Sequence, residues 1–115
     1  MSDTFVSVWA THSFAGFHEW PDAPIERAYL ARPHRHLFKI KAEVAVTHDD
    51  REVEFHDLYD LLVAWASQAQ DAGPQSCEHL ARWLLSDLAI IWPGRQIAVE
   101  ISEDGEFGSR VLLSP

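Results

Sequence analysis

From His34 to Thr47 the side chains alternate, and that pattern limits the possible folds more than any other segment. His34, His36, Phe38, Ile40, Ala42, Val44 and Val46 fall on one side, while Arg35, Leu37, Lys39, Lys41, Glu43, Ala45 and Thr47 fall on the other. A period of two is that of a β-strand with one buried face. A helix through the same residues would scatter the apolar positions around its circumference. The chain must therefore build a sheet, and the buried row of this strand must meet another layer. Both histidines sit at the open end of the core-facing row, where a pocket can form instead of a packed core.

The remaining segments supply the sheet's partners. Residues 5–18 read as a long strand, with Val6, Val8, Ala10, His12, Phe14, Gly16 and His18 on one face. Residues 19–33, carrying Pro21, Pro24 and Pro33, read as a loop suited to substrate contacts. Phe55, Leu58, Leu61, Leu62, Trp65 and Ala69 recur at helical spacing, which predicts a helix over 55–70. Asp71-Ala72-Gly73-Pro74 ends it. Ser76 is a suitable N-cap for a second helix with Leu80, Trp83, Leu84, Leu88 and Ile91 on its stripe. Pro93-Gly94 stops that helix. Residues 96–102 alternate again, Glu103-Asp104-Gly105 reads as a hairpin turn, and 109–113 close the chain as a strand. The expected fold is α+β: one domain over 1–115, of order ββααββ, with a four-stranded antiparallel sheet and both helices on one face. Its open strand edges invite closure by further subunits.

Composition narrows the function classes. The net charge of -9, with no cluster of Lys and Arg, argues against a nucleic-acid partner. The apolar runs are too short to span a bilayer, so no membrane association is expected. Cys77 is the single cysteine, which rules out an internal disulfide and fits the cytoplasm. No segment reads as a signal peptide.

His34 and His36, two apart on a strand, place two imidazoles on one face, which is half of a tetrahedral zinc shell. A third imidazole with an open position for water would make a catalytic site. His18 is the chosen third ligand; His12 shares its parity and is the rival, with a packed strand histidine as its alternative fate.

The motifs then resemble a known family. Phe14-Ala15-Gly16-Phe17-His18 resembles the F-x-x-x-H opening of the 6-pyruvoyl-tetrahydropterin synthase and 6-carboxy-tetrahydropterin synthase family. Pro33-His34-Arg35-His36 resembles its H-G-H motif, with Arg35 in place of Gly. Val53-Glu54-Phe55-His56-Asp57-Leu58 and Pro74-Gln75-Ser76-Cys77-Glu78 resemble the family's two helix entries. The match runs over about residues 5–111 in order. The resemblance implies the tunnelling fold, or T-fold, whose subunits close into oligomeric barrels, such as a hexamer, with sites at subunit interfaces. It implies Zn²⁺ held by His18, His34 and His36. It also implies a carboxylate near the third strand that accepts two parallel N–H bonds from a pterin ring. Glu100 is the first choice for that anchor and Glu103 the second.

Two departures stand out. Leu30 occupies the position of the family's catalytic Cys. Gln68-Ala69-Gln70-Asp71-Ala72-Gly73 replaces the segment that carries its Asp-His pair. The metal shell is kept and the proton-transfer groups are not. A substitute acid or base is then needed, and the candidates are Cys77, Glu78 and His79 at the start of the second helix, where the dipole favours anions. Each also fits a capping or packing role. Arg32 and Arg35 are candidates for an anionic substrate tail, although Arg35 alternates away from the histidines. The expected function is a zinc-dependent synthase-like lyase acting on a pterin or related purine-derived molecule with altered chemistry. The alternative is a non-catalytic zinc module that binds a pterin or deazapurine-like ligand.

Overall fold

The computed structural model describes residues 4–115. Strand β1 (Val6–His18) and strand β2 (His34–Val46) form a long antiparallel pair, followed by helix α1 (Phe55–Ala69), the short strand β3 (Asp71–Gly73), helix α2 (Cys77–Ile91) and the hairpin of β4 (Ile97–Glu103) and β5 (Phe107–Leu113). The sheet order is β3-β1-β2-β4-β5. Both helices lie on one face, α1 against β1 and α2 against β4 and β5.

The alternation read from the sequence is the burial pattern observed. Phe38, Ile40, Ala42 and Val44 of β2 are buried, and so are Ile97, Val99 and Ile101 of β4. They meet Leu58, Leu62 and Trp65 of α1 and Leu80, Leu84 and Leu88 of α2. Fully burying one such aliphatic side chain stabilises the fold by roughly 1.5–3 kcal/mol. Helix α2 starts as expected: the Ser76 hydroxyl accepts from the His79 N–H at 3.2 Å, and His79 Nδ1 accepts from the Ser76 N–H at 3.4 Å. This is a capping box with His in the place usually held by Glu or Gln.

The structure corrects the sequence reading in three places. The sheet has five strands, not four, and it is mixed, because β3 runs parallel to β1. The order is therefore ββαβαββ. Asp71–Gly73 ends α1 as expected, but its backbone groups still need partners. They find them on the open edge of β1, where the Phe17 N–H donates to Gln70 O at 2.8 Å and the Glu19 N–H to Gly73 O at 2.8 Å. Gly16 permits this approach, since a Cβ there would stand 3.0 Å from the Phe38 ring and 3.1 Å from Gln70 O. Second, the segment read as a loop contains a 3₁₀ helix, Ile25–Ala31, none of whose residues is buried. Third, Glu103 is the last residue of β4 and not part of the turn. Asp104 and Gly105, at φ +61° and +75°, are the turn's central residues, and β5 begins at Phe107 rather than Ser109. Two successive positive φ values are the mark of a type I′ hairpin, which matches the twist of the flanking strands.

The second face of the sheet is bare. It exposes Trp9, Phe17, Leu37 and Leu112 among charged neighbours. Among the described residues no helix is long and apolar enough to cross a membrane.

Candidate metal centre

Strand register brings the histidines together. His18 at the end of β1 lies directly opposite His34 at the start of β2, and His36 lies opposite Gly16. All three side chains therefore emerge from the helix-covered face at the one end that the core does not fill. The ring centroids of His18 are 4.6 Å from His34 and 5.2 Å from His36, and those of His34 and His36 are 4.9 Å apart. One nitrogen from each ring falls within 4.8 Å of the other two. Phe38 lies beneath the group, with its centroid 5.3 Å from His18 and 5.9 Å from His36.

Each Nδ1 is taken. That of His18 faces Gln75 O at 3.4 Å, that of His34 faces Arg32 O at 2.9 Å, and that of His36 faces Asp104 Oδ2 at 2.8 Å. Carbonyl and carboxylate oxygens only accept, so these contacts favour the proton on each Nδ1, which leaves the Nε2 lone pairs to ligate. This is the tautomer and second shell of metal-bound histidine. The Nε2 atoms of His18 and His36 are buried without a hydrogen-bond partner. The Glu103 carboxylate faces both, acceptor against acceptor, and a metal ion between them would satisfy the two nitrogens and the carboxylate together. Burial holds the His18 imidazole below its ordinary pKa, only partly opposed by the nearby Glu103 carboxylate. A neutral imidazole is the form that ligates. The residues present thus fit Zn²⁺.

Glu103 stands at the same focus. Its Oε1 is 3.0 Å from His18 Nε2 and its Oε2 is 3.5 Å from His36 Nε2. Glu100 does not, because it pairs with Lys41 in register and lies on the opposite, bare face. The placement follows from strand parity: Glu103 continues the row Ile97, Val99, Ile101, and Glu100 does not. The sequence therefore held the signal that favours Glu103. His12, the rival ligand, packs edge-on against Tyr59 of α1 at 5.6 Å and is no member of the cluster.

A cavity of about 570 Å³ opens over the histidines. His18, His34, Glu103, Cys77 and Glu78 line it, and Trp20, Leu30, Pro74 and Phe107 give it apolar walls. Leu30 is held there by its carbonyl, which accepts from the Trp20 N–H at 2.7 Å. No Lys or Arg is among the lining residues described. Arg32 reaches the group only through its backbone carbonyl, and Arg35 lies on the other face. The three residues at the start of α2 separate. Burial, with the carboxylates of Glu103 and Glu78 close by, pushes the Cys77 thiol up to about 12. Glu78 accepts from the Ser109 hydroxyl at 2.7 Å, which holds it below the usual carboxylate range. His79 spends its Nδ1 on the helix cap and is absent from the cavity lining.

No protein-family model matches this sequence, and no curated protein matches it significantly. Among solved structures, that of Caenorhabditis elegans 6-pyruvoyl tetrahydropterin synthase is similar, with a TM-score of 0.64 over 96% of this chain and 97% of that one. The chain has the fold of that synthase. At 14% identity the likeness is one of fold. The likeness covers the α+β architecture, and the strand pairing that sets His18 beside His34 is this chain's own.

Proposed function

We propose that this protein is a zinc-containing relative of the tetrahydropterin synthases that binds a pterin or a related purine-derived heterocycle over His18, His34 and His36. The observation that carries this reading is the convergence of three Nδ1-tethered imidazoles and one carboxylate, of which His18, His34 and Glu103 line a cavity walled in part by Trp20 and Phe107. The synthase-like fold supports it. Bound zinc would polarise a ligand oxygen or lower the pKa of a coordinated water.

The chain's own residues supply recognition. Glu103 faces the Nε2 atoms of His18 and His36, and once an ion occupies those nitrogens its two oxygens would be the complement of the paired N–H groups on the edge of an aminopyrimidinone ring. Trp20 and Phe107 give a flat heterocycle apolar surface to lie against. A Glu103→Gln variant is expected to weaken pterin binding by about 1.5–3 kcal/mol, the range for hydrogen bonds to a charged group. Glu100→Gln, altered on the far face, should leave it unchanged. Calorimetric titration of the zinc-loaded protein with neopterin measures both. Equal effects of the two substitutions, or no binding to the wild type, would count against the ring-binding role.

A second reading, binding without turnover, draws support from the cavity itself. Leu30 is apolar, Cys77 stays a protonated thiol at neutral pH, and the cavity has no imidazole beyond the cluster.

The assembly we propose is a ring of copies. Strand β3 covers β1 only at Phe17 and His18, so most of β1 and all of β5 leave open edges at the two ends of the sheet. Head-to-tail continuation of the sheet would satisfy both edges. Light scattering at micromolar protein is expected to give several times the 13.1 kDa chain mass. A monomeric mass would remove the ring.

A further inference from the structure

We infer that Asp104 is a positioning residue of the metal centre, clamping His36 in the tautomer and orientation that present its Nε2 to the ion. The inference rests on the three-histidine reading above. Asp104 sits in the β4–β5 turn, yet all of its polar contacts described go to β2. Its backbone N–H donates to Leu37 O at 2.7 Å. Its Oδ1 accepts from the Leu37 N–H at 2.9 Å, and its Oδ2 lies 2.8 Å from His36 Nδ1. One residue thus grips two consecutive residues of the H-x-H strand from outside the cluster.

The three tethers are not equivalent. His18 and His34 are held by the backbone carbonyls of Gln75 and Arg32. His36 alone is held by a side chain, and that side chain is a carboxylate. A carboxylate on Nδ1 raises the electron density at Nε2 and fixes the ring, both of which strengthen a metal bond. The turn allows this, since Asp before Gly is a favoured pair at the centre of such a hairpin. Asp104 adopts φ +61°, a region that glycine enters more freely than any side chain does. The conformation brings the carboxylate over β2, so Asp in this position serves contacts that Gly would forgo.

The substitution Asp104→Asn keeps a residue that tolerates this conformation and can still accept from the Leu37 N–H. It sets an amide N–H₂ against His36 Nδ1, which favours the opposite tautomer with the proton on Nε2. Asp104→Gly fits the turn without strain and removes the tether altogether. Zinc affinity, measured by competition with a chromophoric chelator, is expected to fall about 10- to 100-fold in both variants. The ¹⁵N shifts of the metal-free Asp104→Asn protein should move the His36 proton from Nδ1 toward Nε2, while its melting temperature stays close to that of the wild type. A merely structural turn residue would lower the melting temperature without moving the tautomer. Zinc affinity within twofold of wild type in both variants, or an unchanged His36 tautomer, overturns the inference. A wild-type protein that takes up no zinc overturns the metal reading and this inference together.

Discussion

Replacing both His34 and His36 with alanine is expected to abolish zinc binding, which in the wild type should approach about one ion per chain. The two residues supply two of the three imidazoles, and what would remain is His18 with the Glu103 carboxylate. Two donors do not make a site that competes with water and buffer for zinc. The fold should survive the change. Both residues lie at the start of β2, outside the buried row that begins at Phe38, and neither is fully enclosed. Circular dichroism can therefore show a folded variant while elemental analysis shows the missing metal. The wild type should also melt at a lower temperature after chelation, since an ion bound only by the native state stabilises it by mass action. Stoichiometric zinc in the folded double variant would sink the ligand assignment.

The second large effect is an absent activity. The zinc-loaded protein is expected to convert dihydroneopterin triphosphate to 6-pyruvoyl- or 6-carboxy-tetrahydropterin at near background rate. A positioned general acid or base contributes typically about 100- to 10,000-fold, and where the resemblance leads one to expect the family's thiol and imidazole this sequence has Leu30 and the segment 68–73 without a histidine. The structure narrows the possible substitutes. Cys77, raised to about 12 by burial and two carboxylates, holds its proton at neutral pH and is a poor base. Glu78, held below the usual carboxylate range by Ser109, is ionised there and is a poor acid. His79 caps α2 outside the cavity. The cavity adds a further obstacle, because Glu19, Glu78 and Glu103 line it and no lysine or arginine among the described residues faces a triphosphate. Incubation followed by chromatography measures the outcome. Turnover on the order of one per second, an ordinary enzyme rate, would show that another group moves the protons. The protein would then be a plain synthase.

The parts of this fold that were legible in the sequence are those with a strong period. The alternation of β2 fixed its buried row, and the helical stripes of α1 and α2 marked the faces that cover it. The N-cap at Ser76 was visible because a single side chain and its own neighbours make it, while the reciprocal bond from the Ser76 N–H to His79 Nδ1 is seen only in the structure. His34 and His36 could be paired from the sequence alone, since two residues apart on a strand means one face. His18 was chosen there, but its place opposite His34 is a matter of register. Register between strands separated by residues 19–33 is set by the hydrophobic rows of β1 and β2 meeting the same helices. Strand β3 carries no periodic signal, being only Asp71–Gly73, and it exists because β1 offers unpaired backbone groups at that point. Glu103 is legible by parity, but the resemblance favours Glu100, because that choice keeps Gly105 in register with the family's turn. Asp104 carries no signal as a ligand partner in the sequence. Its carboxylate meets His36 only when the β4–β5 hairpin lies on β2, a contact between residues far apart in the chain. Local periodicity thus determined which side chains face the core and the pocket. The tertiary structure decided which of them meet, because the tethers of His18 and His36 are contacts between residues far apart in the chain, and only that of His34, to Arg32 two residues before it, is local.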